Sequence, residues 1–235
     1  MDIQKINTEY EKASAVAFLQ WALKNFGASK ITVASSFGAE DVVLIDILMK
    51  LDPSVRIFTL DTGRLNEETY QVMDRIRSKY KINIESYFPD RQKVEALEKQ
   101  KGFFSFRDSI DNRKECCAIR KVEPLQRALK GFEAWVTGLR RDQAVTRSGV
   151  SKIEVDAANG GIFKLNPLAD WSNDDVWAYI RKNEVPYNKL HDAGYPSIGC
   201  EPCTRAVKAG EDIRAGRWWW ENPEHKECGL HLPKK

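Results

Sequence analysis

Ile31-Thr32-Val33-Ala34-Ser35, running into Ser36-Phe37-Gly38-Ala39 and then Glu40-Asp41, decides the fold. The first five residues form a short apolar and β-branched run, which suits a buried strand. Ser36 to Ala39 is small and glycine-bearing, hence a turn. From Glu40 to Lys50 the chain is apolar at Val42, Val43, Ile45 and Leu48, which predicts a helix. A buried strand that turns at once into an apolar helix opens a βα unit.

The same alternation extends outward. Asn7 to Phe26 places Val16, Leu19 and Leu23 at helical steps and ends at Gly27, a candidate C-cap. Strands are expected at Val55–Leu60, Ile82–Phe88 and Ala134–Thr137. Helices are expected at Asn66–Tyr80, Arg91–Lys101 and Glu115–Lys130. Ser172-Asn173-Asp174-Asp175 reads as a capping box opening a further helix, with Asp175 in the usual Glu position. The reading is an α/β fold: a mostly parallel sheet with helices on both faces. Residues 1–190 are expected to form one α/β domain. Residues 191–235, rich in Gly, Pro, Trp and charge, form an irregular, mobile C-terminal tail of the same domain. That tail holds three of the five cysteines and all three histidines.

The 235 residues are enough for a core without disulfide staples. Thirty-seven basic against 34 acidic residues leave a net charge of +3, too balanced for bulk electrostatic binding to nucleic acid. No apolar run approaches the roughly 18 residues of a membrane span. Met1-Asp2-Ile3-Gln4-Lys5 shows no secretory signal. A cytoplasmic chain is expected, and a homo-oligomer is compatible with the sequence. Cysteines in that compartment read as metal ligands or nucleophiles before disulfides.

Three polar strand ends are candidates for a ligand site: Ser35, Ser36, Phe37, Gly38, Ala39, Glu40 and Asp41; Leu60, Asp61, Thr62 and Gly63; and Gly138, Leu139, Arg140 and Arg141. Ligands bind open parallel sheets at the carboxyl ends of strands, where helix N-termini offer N–H groups to anions. The first loop lacks the Gly-Lys-Ser/Thr of a Walker P-loop. A plain serine-capped turn would read alike, so the weight lies on the three ends taken together.

Cys200-Glu201-Pro202-Cys203 is a two-thiolate bite, and the adjacent Cys116 and Cys117 would complete four. Neighbouring helix side chains diverge by about 100°, which strains two of them on one zinc. A [4Fe–4S] cluster, with several irons, takes such a pair more readily. Cys228, in Glu227-Cys228-Gly229-Leu230-His231, has His225, Lys226 and His231 nearby to favour a thiolate; an inert tail cysteine would read the same. Lys121 lies one helical turn from Cys117. Arg214 and Arg217, three apart before Trp218-Trp219-Trp220, would share a helix face and could fork onto an anion.

Together these segments resemble the assimilatory adenylyl-sulfate reductases, within the phosphoadenylyl-sulfate reductase family. The carriers are Ser35–Asp41, Leu60–Gly63, Lys114-Glu115-Cys116-Cys117, Gly138–Arg141, Gly199-Cys200-Glu201-Pro202-Cys203 and Cys228-Gly229-Leu230-His231. The likeness covers almost the whole chain. It implies an adenine-nucleotide alpha-hydrolase-like fold of the PP-loop type, with residues 1–190 as a nucleotide-binding α/β domain, and a [4Fe–4S] cluster on Cys116, Cys117, Cys200 and Cys203. It implies that Cys228 attacks the sulfur of adenylyl sulfate, expelling AMP and leaving an S-sulfocysteine. Thioredoxin or a similar dithiol protein then releases sulfite. Lys121, Arg214, Arg217 and His231 would ring the sulfate and phosphate, and the strand-end loops would hold the adenosine.

Family members restricted to phosphoadenylyl sulfate generally lack the cluster cysteines, so adenylyl sulfate is the expected substrate. A phosphoadenylyl-sulfate or dual-substrate reductase is the alternative. An ATP-dependent tRNA-thiolating enzyme would share the nucleotide fold, but its usual loop looks like Ser-Gly-Gly-x-Asp-Ser. An iron–sulfur redox sensor would not need Cys228 and would form no sulfite.

Overall fold

The computed structural model describes residues 1–144, 147–222, 226, 229 and 230. In chain order its main elements are α1 (Ile3–Tyr10), α2 (Ala15–Phe26), β1 (Ile31–Ala34), α3 (Ala39–Leu51), β2 (Arg56–Leu60), α4 (Glu67–Tyr80) and β3 (Ile84–Tyr87). After these come α5 (Arg91–Lys101), α6 (Ile110–Cys117), a π-helical segment (Ala118–Val122) and α7 (Glu123–Leu129). The chain continues through β4 (Ala134–Val136), β5 (Ile153–Asp156), β6 (Ile162–Leu165) and α8 (Asn173–Lys182).

The strands form one six-stranded sheet in the order β3-β2-β1-β4-β6-β5. β1 pairs in parallel with β2 and with β4, setting Val33 opposite both Ile57 and Val136. β4 and β6 are also parallel. β5 pairs antiparallel with β6. The mostly parallel α/β reading is therefore the fold observed. The β5–β6 pair did not stand out in the sequence, because its strands are four residues long and carry Glu154 and Lys164.

Two expected helices are broken, each for a local reason. Between α1 and α2, Ser14 leaves the helix and its hydroxyl caps the Ala17 N–H (3.1 Å). Between α6 and α7, Pro124 sits at the start of α7 with no N–H to give. The turn before it widens, and the Glu123 N–H reaches back five residues to the Ala118 carbonyl. Gly27 does cap α2, at φ 82° with its N–H on the Leu23 carbonyl (2.9 Å). The capping box of α8 is present, with Ser172 and Asp175 exchanging hydrogen bonds.

The chain divides into two compact units. One comprises Met1–Thr59, Glu68–Glu85 and Gly131–Lys189 and holds the apolar core. Its centre is α3, buried from Val42 to Leu48 against residues such as Phe18, Leu19, Val33 and Val136. Being apolar almost all round, α3 suits an inner helix and not a surface one. The other unit comprises Leu60–Glu67, Ser86–Lys130 and Leu190–Lys235, and holds Cys116, Cys117, Cys200 and Cys203. Among the described residues, no helix is long and apolar enough to cross a membrane.

Candidate active site

In the first unit, Ser35–Asp41 and Gly138–Arg141 follow β1 and β4 and meet side by side. Phe37 is buried at φ 58°, a left-handed conformation that bends the chain sharply into α3. The Ser35 hydroxyl accepts the Phe37 N–H (3.1 Å). Asp41 accepts from both the Ser36 N–H (2.6 Å) and its hydroxyl (2.8 Å). Burial pushes the Asp41 carboxyl up to about 6, with the Ser36 hydrogen bonds opposing the rise. A Cβ on Gly138 would stand 2.6 Å from Asp41 Oδ1 and 2.8 Å from Glu40 Cβ, so only glycine allows this approach.

Arg140, fully buried, donates from Nε (2.9 Å) and Nη2 (2.7 Å) to Glu40 and from Nη1 to the Trp171 carbonyl (3.2 Å). Arg141 forks onto Glu11 (2.6 and 3.0 Å). Both arginines are thus spent on carboxylates of their own unit. The first turn of α3 likewise carries its own acids, Glu40 and Asp41. Neither arginine therefore offers an anionic ligand an unmatched positive charge.

The second unit places the other predicted residues together. One pocket is lined by Cys116, Cys117, Cys200 and Cys203, with Arg64, Arg113, Arg120, Lys121, Arg217, Phe106 and Trp218. The third strand end reaches it through Thr62. Thr62 Oγ1 accepts the Arg64 N–H (3.2 Å) and lies 3.2 Å from Cys200 Sγ. Gly63 supplies φ 71°, and its N–H is held by Asp61 Oδ1 (2.9 Å). Burial opposes ionisation of the Cys200 thiol, yet Lys121, the Thr62 hydroxyl, Arg217 and Arg120 together hold it below the ordinary thiol value. Burial and the neighbouring Cys200 push Cys203 up to about 12, and burial raises Cys116 as well. Among the described residues no three His, Cys, Asp or Glu side chains form a ready metal-holding group.

The expected helix face for Arg214 and Arg217 is not there. Asp212 folds the chain into a turn, taking the Arg214 N–H on its side chain (2.8 Å) and the Ala215 N–H on its carbonyl (2.9 Å). Arg217 then pairs with Thr204 in an isolated β-bridge. The bridge is flanked by Arg205 N–H to Gly216 (3.0 Å) and Trp218 N–H to Cys203 (3.1 Å). Arg217 lines the pocket, while Arg214 reaches the Lys226 carbonyl instead (2.8 Å). Trp218 is buried with the guanidinium groups of Arg113 and Arg217 over its ring (4.9 and 4.6 Å). Cys228 and His231 lie outside the described residues.

Arg64, Arg113, Arg120, Phe106 and Trp218 were not singled out from the sequence. Arg120 and Trp218 each neighbour a residue that was, and adjacency in an irregular segment was the available signal. Two pocket donors, Arg120 Nε and Arg217 Nε, are buried with no hydrogen-bond partner among the described residues.

The chain is thus an α/β protein whose first unit carries a mostly parallel sheet with polar strand-end loops, and whose second unit carries a basic pocket lined by four thiols. The chain belongs to the phosphoadenosine phosphosulfate reductase domain family, whose model matches residues 30–206. It is 52% identical over 220 residues to the adenosine 5'-phosphosulfate reductase of Allochromatium vinosum, covering 94% of this chain and 85% of that one. The crystal structure of phosphoadenylyl-sulfate reductase from Candida auris, a phosphate complex, superposes with a TM-score of 0.74 at 32% identity, over 87% of this chain and 96% of that one. The NH3-dependent NAD synthetase of Campylobacter jejuni shares the fold (TM-score 0.53, 16% identity, 83% and 79% covered).

Proposed function

We propose that this chain reduces adenylyl sulfate to sulfite and AMP in assimilatory sulfate reduction, with electrons from thioredoxin or a similar dithiol protein. The single observation that carries the reading is the basic four-thiol pocket of the second unit, in a chain of this family. The Cys228 thiolate attacks the sulfate sulfur, the bond from that sulfur to the phosphate oxygen breaks, and AMP leaves. A thiolate of the dithiol then attacks Cys228 Sγ, sulfite departs, and the second thiol closes the disulfide. Two electrons pass from the dithiol, and sulfur falls from the sulfate to the sulfite level.

A thiolate approaching an anionic sulfate is repelled, so cations must offset the charge. Lys121 and Arg217 are proposed for that role, together with Arg214 and His231. The first unit's loops Ser35–Asp41 and Gly138–Arg141 would receive the neutral adenosine, which their internally satisfied charges support; Leu60–Gly63 is proposed as a substrate-binding loop of the second unit.

Four thiols with unpartnered guanidinium N–H groups beside them fit a [4Fe–4S] cluster on Cys116, Cys117, Cys200 and Cys203, whose sulfurs accept such hydrogen bonds. When bound, it would supply fixed charge and cross-link α6 to the Cys200–Cys203 turn. We place the chain in the cytoplasm, acting on no nucleic acid and no membrane.

Anaerobic protein mixed with adenylyl sulfate, without reductant, would be read by intact mass and peptide mapping. One SO₃ on Cys228, removed by thioredoxin, is the expected result. No adduct from either adenylyl sulfate or phosphoadenylyl sulfate would overturn the reductase reading.

A further inference from the structure

Glu98, on α5, is the carboxylate that serves two arginines of the thiol pocket at once. Its Oε1 accepts from Arg120 Nη2 (2.6 Å) and from Arg64 Nη2 (3.0 Å). Each arginine has a second anchor, which for Arg120 holds its other Nη. Arg120 Nη1 donates to the Thr62 carbonyl (2.7 Å), and Arg64 Nη2 donates as well to the Phe103 carbonyl (2.9 Å). Arg120 is buried, and its Nε alone is left without a partner among the described residues. Two fixed Nη groups leave a planar guanidinium no freedom to turn. Where Nε stands is therefore set by the Thr62 carbonyl and by Glu98.

We propose that Glu98 is a positioning residue for the sulfur site: it holds Arg120 so that the Nε–H donates to sulfur in the thiol pocket. The same carboxylate cancels one of the two positive charges that Arg64 and Arg120 bring. Without that cancellation, two like charges would face each other across one acceptor and push Arg120 off its setting. Glu98 is not among the residues lining the pocket, and it reaches the pocket through its hydrogen bond to Arg120. The inference rests on the four-thiol cluster reading above.

The test is a double-mutant cycle read on the anaerobically reconstituted full chain by resonance Raman spectroscopy of the Fe–S stretching region, together with the rate of iron loss to a chelator. A donated N–H weakens an Fe–S bond, so losing it moves the stretching bands upward. Glu98→Ala is expected to shift the bands as Arg120→Ala does, and to speed iron loss severalfold. The double variant is expected to shift them no further. Glu98→Gln, which keeps the acceptor oxygen, is expected to restore most of the band position. Bands of Glu98→Ala at the unsubstituted position, or shifts that add in the double variant, would overturn the proposal. If the unsubstituted chain takes up no iron, the cluster reading fails, and this inference falls with it; iron bound normally with unmoved bands rejects Glu98 alone.

Discussion

Arg113 and Glu221 form a doubly hydrogen-bonded ion pair, Nε to Oε1 at 2.9 Å and Nη2 to Oε2 at 2.8 Å, with side chains only 1% and 3% exposed. Arg113 stands one helical turn before Cys117 on α6, and Glu221 follows the three tryptophans. The pair therefore fastens the chain after Trp220 to the helix that carries two of the four pocket thiols. Removing one partner leaves a buried charge unmatched, which costs about 3–5 kcal/mol. Glu221→Ala is expected to lower the urea midpoint accordingly and to lose iron with it. Replacing both residues by a well-packed apolar pair is expected to recover much of the stability. A Glu221→Ala midpoint equal to that of the unsubstituted chain would contradict this account.

Gly138→Ala is expected to damage the nucleotide loops. The added methyl would collide with Asp41 and Glu40, at a cost of about 1–3 kcal/mol. Calorimetry with AMP should show weakened binding, while iron content, held in the other unit, stays unchanged. Unchanged AMP affinity would remove these loops from the binding site.

Asp41 and Asp46 lie on the same helix and respond to acid in opposite ways. Burial raises Asp41 from 3.8 to about 6, so the folded chain holds a proton there that the unfolded chain releases. Stability from this group falls as pH rises between those values. Burial would raise Asp46 too, but hydrogen bonds from Lys50 and the Tyr179 and Tyr80 hydroxyls (all 2.6 Å) win, and its value is lowered. Its contribution is present above 3.8 and is lost as pH falls through the folded value. Urea midpoints from pH 3 to pH 7 should therefore rise less steeply for Asp46→Asn, at a cost of about 2 kcal/mol at neutral pH. The Asp41→Asn profile should lack the decline up to about 6. Parallel profiles for both variants would refute the assignment.

Cys117→Ser and Cys203→Ser are each expected to lose most bound iron and the sulfite-forming activity together. Cys228→Ser should keep its iron, bind AMP and form no SO₃ adduct. Full activity in a Cys117→Ser protein without iron would rule out a required cluster.

Much of this protein could be read from residue order. The βα opening at Ile31–Lys50 and the alternation after it determine a parallel α/β sheet, because a short apolar strand followed by an apolar helix has few other ways to bury both. The family likeness rested on local words such as Cys116-Cys117 and Cys200-Glu201-Pro202-Cys203, whose chemistry is carried by spacing. Apolar periodicity does not reveal the charged antiparallel edge strand, and it passes over two local signals, Pro124 at the helix break and Asp212 at the turn that parts Arg214 from Arg217.

Only the tertiary structure decided which cations meet the thiols. Lys121 and Arg217 are candidates from the sequence, but Arg64, Arg113 and Arg120 would each pass there as a solvated surface residue, and only folding brings them to the same pocket. Tertiary packing alone also spent Arg140 and Arg141 on Glu40 and Glu11. Charge partners separated by a hundred residues or more leave no periodic trace, because their energy comes from desolvation and geometry, which exist only once the chain has folded.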